Sequence, residues 1–136
     1  MVKEIVKDIF FLGQKSLEAN VEDKQIIIDL KDTLVANRER CVGMAANMIG
    51  YKKRIIIVNM GFVNMIMVNP VITKKKMPYD TEEGCLSLTG VRKTTRYKEI
   101  EVSYQDEHFR QTKQVFKDYI AQIVQHECDH LEGIII

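Results

Sequence analysis

The sequence predicts an α+β fold with mostly antiparallel strands. Three observations predict it. Apolar residues recur at helical spacing early in the chain, strict apolar–polar alternation marks a strand late in it, and a second helical pattern closes it, with short reversals between. The 136 residues are sized for one domain over 1–136. With 46% hydrophobic and 29% charged residues, that domain can form a real core without disulfide staples.

The elements follow in order. Asn20 can cap a helix with Glu22 and Asp23 in its first turn, and Ile26, Ile27, Leu30, Leu34 and Val35 place that helix over about Val21 to Arg40. Cys41 to Gly50 is rich in small residues and reads as a loop, with one turn of helix around Ala45-Ala46. Arg54 to Met60 is an isoleucine- and valine-rich strand, Gly61 turns the chain, and Met65 to Asn69 is a second strand. Pro70 and Pro78 mark edges or bends, and Lys74-Lys75-Lys76 reads as a solvated strand end. Glu82 to Gly90 is the least periodic segment. From Lys98 to Gln105, Ile100, Val102 and Tyr104 alternate with Glu99, Glu101 and Ser103, a half-buried strand. Asp106 to Arg110 is a polar turn, followed by a strand to Phe116. Asp118 caps a last helix to about Glu132, with Gly133 as its stop, and Ile134 to Ile136 forms a short terminal strand.

Charge and composition narrow the function. A net charge of +1 argues against nucleic acid or an anionic membrane as partner. No apolar run suits a signal peptide or a transmembrane helix, so the expected address is cytoplasmic. In that compartment Cys41, Cys85 and Cys128 are expected as reduced thiols, of interest as metal ligands or nucleophiles.

The chemistry sits in Gln125-His126-Glu127-Cys128-Asp129-His130. Residues four apart share a helix face, so His126 and His130 can bind one metal ion from a rigid element. A metal there brings the pKa of a water to about 7, and Glu127, beside the first ligand, can shuttle its proton. A chance match to this pattern is expected in well under about one in a hundred chains of this length. The bland alternative is a solvated helix face with two unconnected histidines, yet two of the three histidines in the chain stand at this spacing. A catalytic site needs a third protein ligand. Cys128, two residues from each histidine, points away and reads as a buried, apolar-like cysteine. His108 lies in a polar turn and reads as exposed. Cys85 and Cys41 remain, and pattern favours Cys85, beside the permissive Gly84, against the alternative of a core cysteine at a strand end.

Three segments together resemble peptide deformylase. Gly84-Cys85-Leu86-Ser87-Leu88 resembles the family's second motif and Gln125 to Gly133 its third. Cys41-Val42-Gly43-Met44-Ala45-Ala46-Asn47-Met48-Ile49-Gly50 resembles its first, and Val68-Asn69-Pro70 falls between the first two in the family's order. The resemblance covers nearly the whole chain. It implies antiparallel sheets wrapped around a central C-terminal helix bearing the histidines. It also implies removal of the N-formyl group from peptides beginning with formyl-methionine. The implied cofactor is one divalent metal ion, iron(II) in the cell, with zinc, nickel or cobalt able to substitute. Carried over residue by residue, Cys85, His126 and His130 become metal ligands and Glu127 the general base and acid. The Leu86 backbone N–H becomes an oxyanion donor, and Val42, Gly43, Gly84 and Arg92 hold the peptide. The implied partners are formylated peptide N-termini and the ribosome, with no membrane.

Two residues of the first motif depart from the family pattern. Met48 stands where the family has glutamine and brings no hydrogen-bond donor for the oxygen that becomes negative. Losing one such donor typically costs on the order of 10²–10³ in turnover. Cys41 stands where the family has glycine, and is strained if that backbone needs a positive φ. These departures motivate a rival from another class, a metal-retaining binding protein that has lost catalysis and holds peptide N-termini or a regulatory partner. A third reading is a metal amidase for another small acyl group. Cys41 could also be an oxidisable thiol beside the metal, or simply a partly buried structural cysteine.

Overall fold

The computed structural model describes residues 1–85 and 88–134, with backbone alone at residues 88 and 89. Asn20 opens the first long helix as expected. Its side chain accepts from Glu22 N at 2.9 Å, and Asp23 returns the favour to Asn20 N at 2.9 Å, a reciprocal box over the 3₁₀ turn Val21–Asp23. Helix α2, Lys24–Ala36, follows the short α1, Ile9–Leu12. It stops four residues before the expected Arg40. Asn37 turns its side-chain amide back to Thr33 O at 2.8 Å, closing the last turn, and Asn37 to Arg40 form a turn instead. Ile26, Ile27, Leu30 and Leu34 are buried, whereas Val35 lies outside the stripe and is exposed.

The small-residue segment holds more than a loop. Gly43–Ala45 forms strand β1, followed by the 3₁₀ turn Ala46–Ile49, which ends on Gly50 at φ +93°. Strand β2, Ile55–Asn59, pairs antiparallel with β1 and with β3, Asn64–Cys85. β4, Leu88–Gln105, returns along β3 as a long hairpin, and β5, Gln111–Lys117, completes one antiparallel sheet in the order β1-β2-β3-β4-β5. Both hairpin strands outrun the segments predicted for them. Pro70 does mark a bend: the register shifts between Val68 and Val71, next to Asn69 at φ 51°. Pro78 follows Met77 at φ 61° yet stays paired with Tyr97. The three lysines sit in mid-strand, opposite Glu101, Ile100 and Glu99, and are not a strand end. The outer hairpin is exposed, so cross-strand polar pairs mark its register in place of apolar burial. Thr95 Oγ1 donates to Asp80 at 2.9 Å, Lys76 faces Glu99 at 3.6 Å, and Lys98 lies over the Tyr79 ring at 4.4 Å.

The polar turn closes as read: Asp106 Oδ1 accepts from His108 N at 2.8 Å and Arg110 N at 3.0 Å. Helix α3, Asp118–Leu131, follows β5 without a loop. Asp118 is therefore not its cap. The cap position falls on Lys117 without a side-chain bond, and Asp118 takes φ 54° at the sharp strand-to-helix corner. Gly133 stops the helix at φ +77°, and a Cβ there would lie 2.5 Å from Gly13 O. The N-terminal segment is further tied to this end by Ser16 N donating to Leu131 O at 2.8 Å. Ile134 is not in a strand, and Ile135 and Ile136 lie outside the described residues.

The core lies between the sheet and helices α2 and α3, built from Leu30, Leu34, Ile55, Ile57, Met67, Ile100, Val124 and Leu131. α3 is central: it packs on β1, β2, β4 and β5. Leu30→Ala is expected to lower unfolding free energy by about 2–5 kcal/mol. Asn20→Ala is expected to cost about 1 kcal/mol. Chemical denaturation of both variants checks this pair.

Candidate metal centre and active site

His126 and His130 stand one turn apart on α3, with ring centroids 4.8 Å apart and Nε2 atoms facing each other at 3.1 Å. The Cys85 sulfur arrives from the end of β3, and all three ligand atoms lie within 4.8 Å of one another. A tetrahedral first-row ion needs donor atoms roughly 3–4 Å apart, given bonds near 2.0–2.3 Å. One thiolate and two imidazoles are a donor set that suits such an ion, and these three residues would hold it.

Glu83 holds this arrangement from behind. Its carboxylate accepts from His126 Nδ1 at 2.8 Å, which leaves Nε2 facing the centre. Arg96 on β4 grips the same carboxylate with Nε at 2.9 Å and Nη2 at 2.7 Å, and its Nη1 reaches Asp129 on α3 at 2.7 Å. Gln122 Nε2 adds a fourth bond to Glu83 at 3.0 Å. Burial alone would raise the Glu83 pKa, but the bonds from His126 and Arg96 outweigh it and bring it down to about 2. Burial would lower His126; hydrogen bonds to Cys85 and Glu83 outweigh it and lift it to about 10. Burial, reinforced by the charge on His126, takes His130 down to about 3. Two further ties fix α3. Asn47 Nδ2 donates to His130 O at 2.8 Å, and Gln125 spans to β4, taking Tyr97 N and giving to Tyr97 O at 2.9 Å each.

Strand β1 lies flush against the helix at Glu127. A Cβ on Gly43 would meet Ile123 Cγ2 at 2.7 Å and Glu127 Oε2 at 2.9 Å, so only glycine fits. Asn59 N donates to Val42 O at 2.8 Å, which in an antiparallel ladder turns the N–H and C=O of Gly43 away from β2. Glu127 is buried, its Oε1 has no partner among the described residues, and burial pushes its pKa up to about 7. A carboxyl poised near neutrality can both take and give a proton.

These groups wall a cavity of about 250 Å³ between β1, the end of β3 and α3. Val42, Gly43, Gly84, Cys85, His126 and Glu127 line it, and His130 is not among the lining residues. Gly84 is close-packed, its absent Cβ 3.3 Å from Gly90 O. Arg92, paired with Glu83 across the hairpin, is not among the lining residues; it is exposed and donates to Val91 O at 3.1 Å. Leu86 falls outside the described residues. Met48 is buried in the wall, and its sulfur accepts from Ala45 N at 3.4 Å. Cys41 has no positive φ, so cysteine is unstrained there. Its thiol donates to Gly43 O at 2.6 Å, and burial pushes its pKa up to about 11, which keeps it protonated. Cys128 packs in the core and His108 is exposed, both as expected. The sequence reading missed Glu83, Arg96, Gln122 and Asn47. The acidic pair before Gly84 was a visible signal for Glu83; nothing local marked Arg96.

Glu83→Gln is expected to weaken metal affinity by about 10–100-fold, measured by competition with a chromophoric chelator.

Residues 6–136 match the sequence model of the polypeptide deformylase family. A peptide deformylase of Clostridium beijerinckii is 62% identical over 136 residues, covering all of both chains. One of Pelotomaculum thermopropionicum is 38% identical, covering 96% of this chain and 88% of its own length. Among solved structures, the actinonin-bound class I type b peptide deformylase of Acinetobacter baumannii superposes with TM-score 0.88 at 29% identity, covering 99% of this chain and 95% of that one. The Thermus thermophilus peptide deformylase gives 0.87 at 30%, covering 99% and 83%. With the site geometry and this likeness along its whole length, the chain belongs to the peptide deformylase family.

Proposed function

We propose that this domain, spanning residues 1–136, removes the N-formyl group from formyl-methionyl peptides, with Cys85, His126 and His130 holding one divalent metal ion. The observation that carries the reading is the convergence of a sulfur and two imidazole nitrogens beside a buried carboxyl. Iron(II) is the proposed metal, with zinc, nickel or cobalt as substitutes. A bound ion supplies charge that polarises a carbonyl and acidifies a water. The chain's own residues supply the rest. Glu127 takes a proton from the attacking water and returns it to the leaving amine, so formate and a free amino terminus result. The outward N–H and C=O of Gly43 hold the extended peptide as an added strand on the β1 edge. Val42 and Gly84 shape the walls. The Leu86 N–H is proposed as an oxyanion donor; no role in the cavity is assigned to Arg92.

The proposal includes a cytoplasmic address and substrates met as they leave the ribosome. No described helix is long and apolar enough to cross a membrane.

Met48 favours the rival reading of a metal-retaining peptide binder, because its sulfur accepts a hydrogen bond where the family's glutamine gives one. Anaerobically purified, iron-loaded protein is expected to deformylate formyl-Met-Ala-Ser, with Glu127→Ala lowering turnover by about 10²–10⁴-fold. Bound metal without turnover would sink the deformylase reading in favour of the binder. Met48→Gln, which restores a donor, is expected to raise kcat by up to about 10²–10³-fold in the same assay.

A further inference from the structure

Arg40 stands where the cavity opens to solvent. From Arg40 to Gly43 the chain runs inward, from an exposed residue at the rim to a buried glycine against Glu127. The guanidinium is held from one side only: Nη2 donates to Asn37 Oδ1 at 2.8 Å, at the end of α2. Its remaining donors have no carboxylate partner among the described residues. Arg38 and Glu39, its neighbours, do not line this cavity. Of the three acidic groups of the wall, two are accounted for. Glu83 is saturated by Arg96, His126 and Gln122, Glu127 is buried beside Gly43, and Glu82 is exposed on the hairpin, in register with Lys93. Among the described residues, Arg40 is thus the one Lys or Arg side chain on the wall of the cavity, standing at its rim while His126 lies deep within it.

An extended peptide bound with its first residue beside Gly43 runs outward along the same path. Arg40 lies three residues from Gly43, at most about 11 Å away, a distance that the third and fourth residues of an extended peptide are long enough to reach. Successive side chains of an extended chain point to opposite sides, so one of these two faces the guanidinium. We propose that Arg40 is a specificity-determining residue that selects peptides with Asp or Glu at the third or fourth position. This rests on the deformylase reading above.

The pair forms at a solvent-exposed rim, so the preference is modest, about two- to fivefold in kcat/KM, and it weakens with salt. The test uses the iron-loaded full chain and amidated formyl-tetrapeptides carrying Asp or Lys at position three or four, so that the side chain is the sole variable charge. Asp is expected to be favoured at one of the two positions, through KM more than kcat. The ratio is expected to collapse in Arg40→Gln, to invert in Arg40→Glu, and to shrink at 0.5 M salt, where the Debye length is about 4 Å. Equal kcat/KM for Asp and Lys peptides at both positions overturns the inference, as does a preference that Arg40→Glu leaves intact. Failure to hydrolyse any formyl-peptide overturns the deformylase reading and this inference with it.

Discussion

The ion pair between Glu83 and Arg96 holds the two halves of the site together. Glu83 belongs to the last turn of pairing in the β3–β4 hairpin, two residues from Cys85, and Arg96 also reaches Asp129 on α3. One buried guanidinium therefore links the element that carries the sulfur to the helix that carries the imidazoles. Burying two charges costs several kcal/mol per ion, and the cost is offset only where every lone pair and N–H finds a partner. Here the bidentate grip, Gln122 and His126 satisfy Glu83 from four directions. The pair fixes geometry more than it adds stability, and the ring orientation of His126 is its product.

The helices and the chemistry were legible because each rests on a local period. His126 and His130 four apart, the stripe from Ile26 to Leu34, the Asn20 cap and the Ile100–Tyr104 alternation all express contacts within one element. The long hairpin was not legible for the same reason. From Lys74 to Glu82 its strand is mostly exposed, so no apolar alternation records it, and only register with β4 reveals it. Asp118 misled because a residue good at capping was here placed at a corner that needs a positive φ. Glu83 and Arg96 are thirteen residues apart and acquire meaning only when the hairpin closes.

The two unusual residues of the first motif behave differently in the fold. Cys41 is accommodated without backbone strain and is held as a protonated thiol by the Gly43 carbonyl. A peptide laid along β1 as proposed above would share that acceptor. Met48 is fully packed, and its sulfur closes the turn after β1 by accepting from Ala45 N. The same atoms that stabilise the turn leave the cavity without a side-chain donor at that point.

The sheet order follows the chain order, so every strand pairs with its neighbour in sequence. The contacts that make the site are of another kind: Asn47 to His130, Gly43 to Glu127 and Glu83 to His126 close over long stretches of chain. Detaching α3 would thus dissolve the site while leaving the strand ladder intact, a partial opening distinct from global unfolding. An ion held between β3 and α3, as proposed above, would bind only the closed form and so would shift that local equilibrium by mass action. The proposed metal centre would in this sense act as a clasp on the least locally encoded joint of the molecule, with metal supply setting how often the joint stands open.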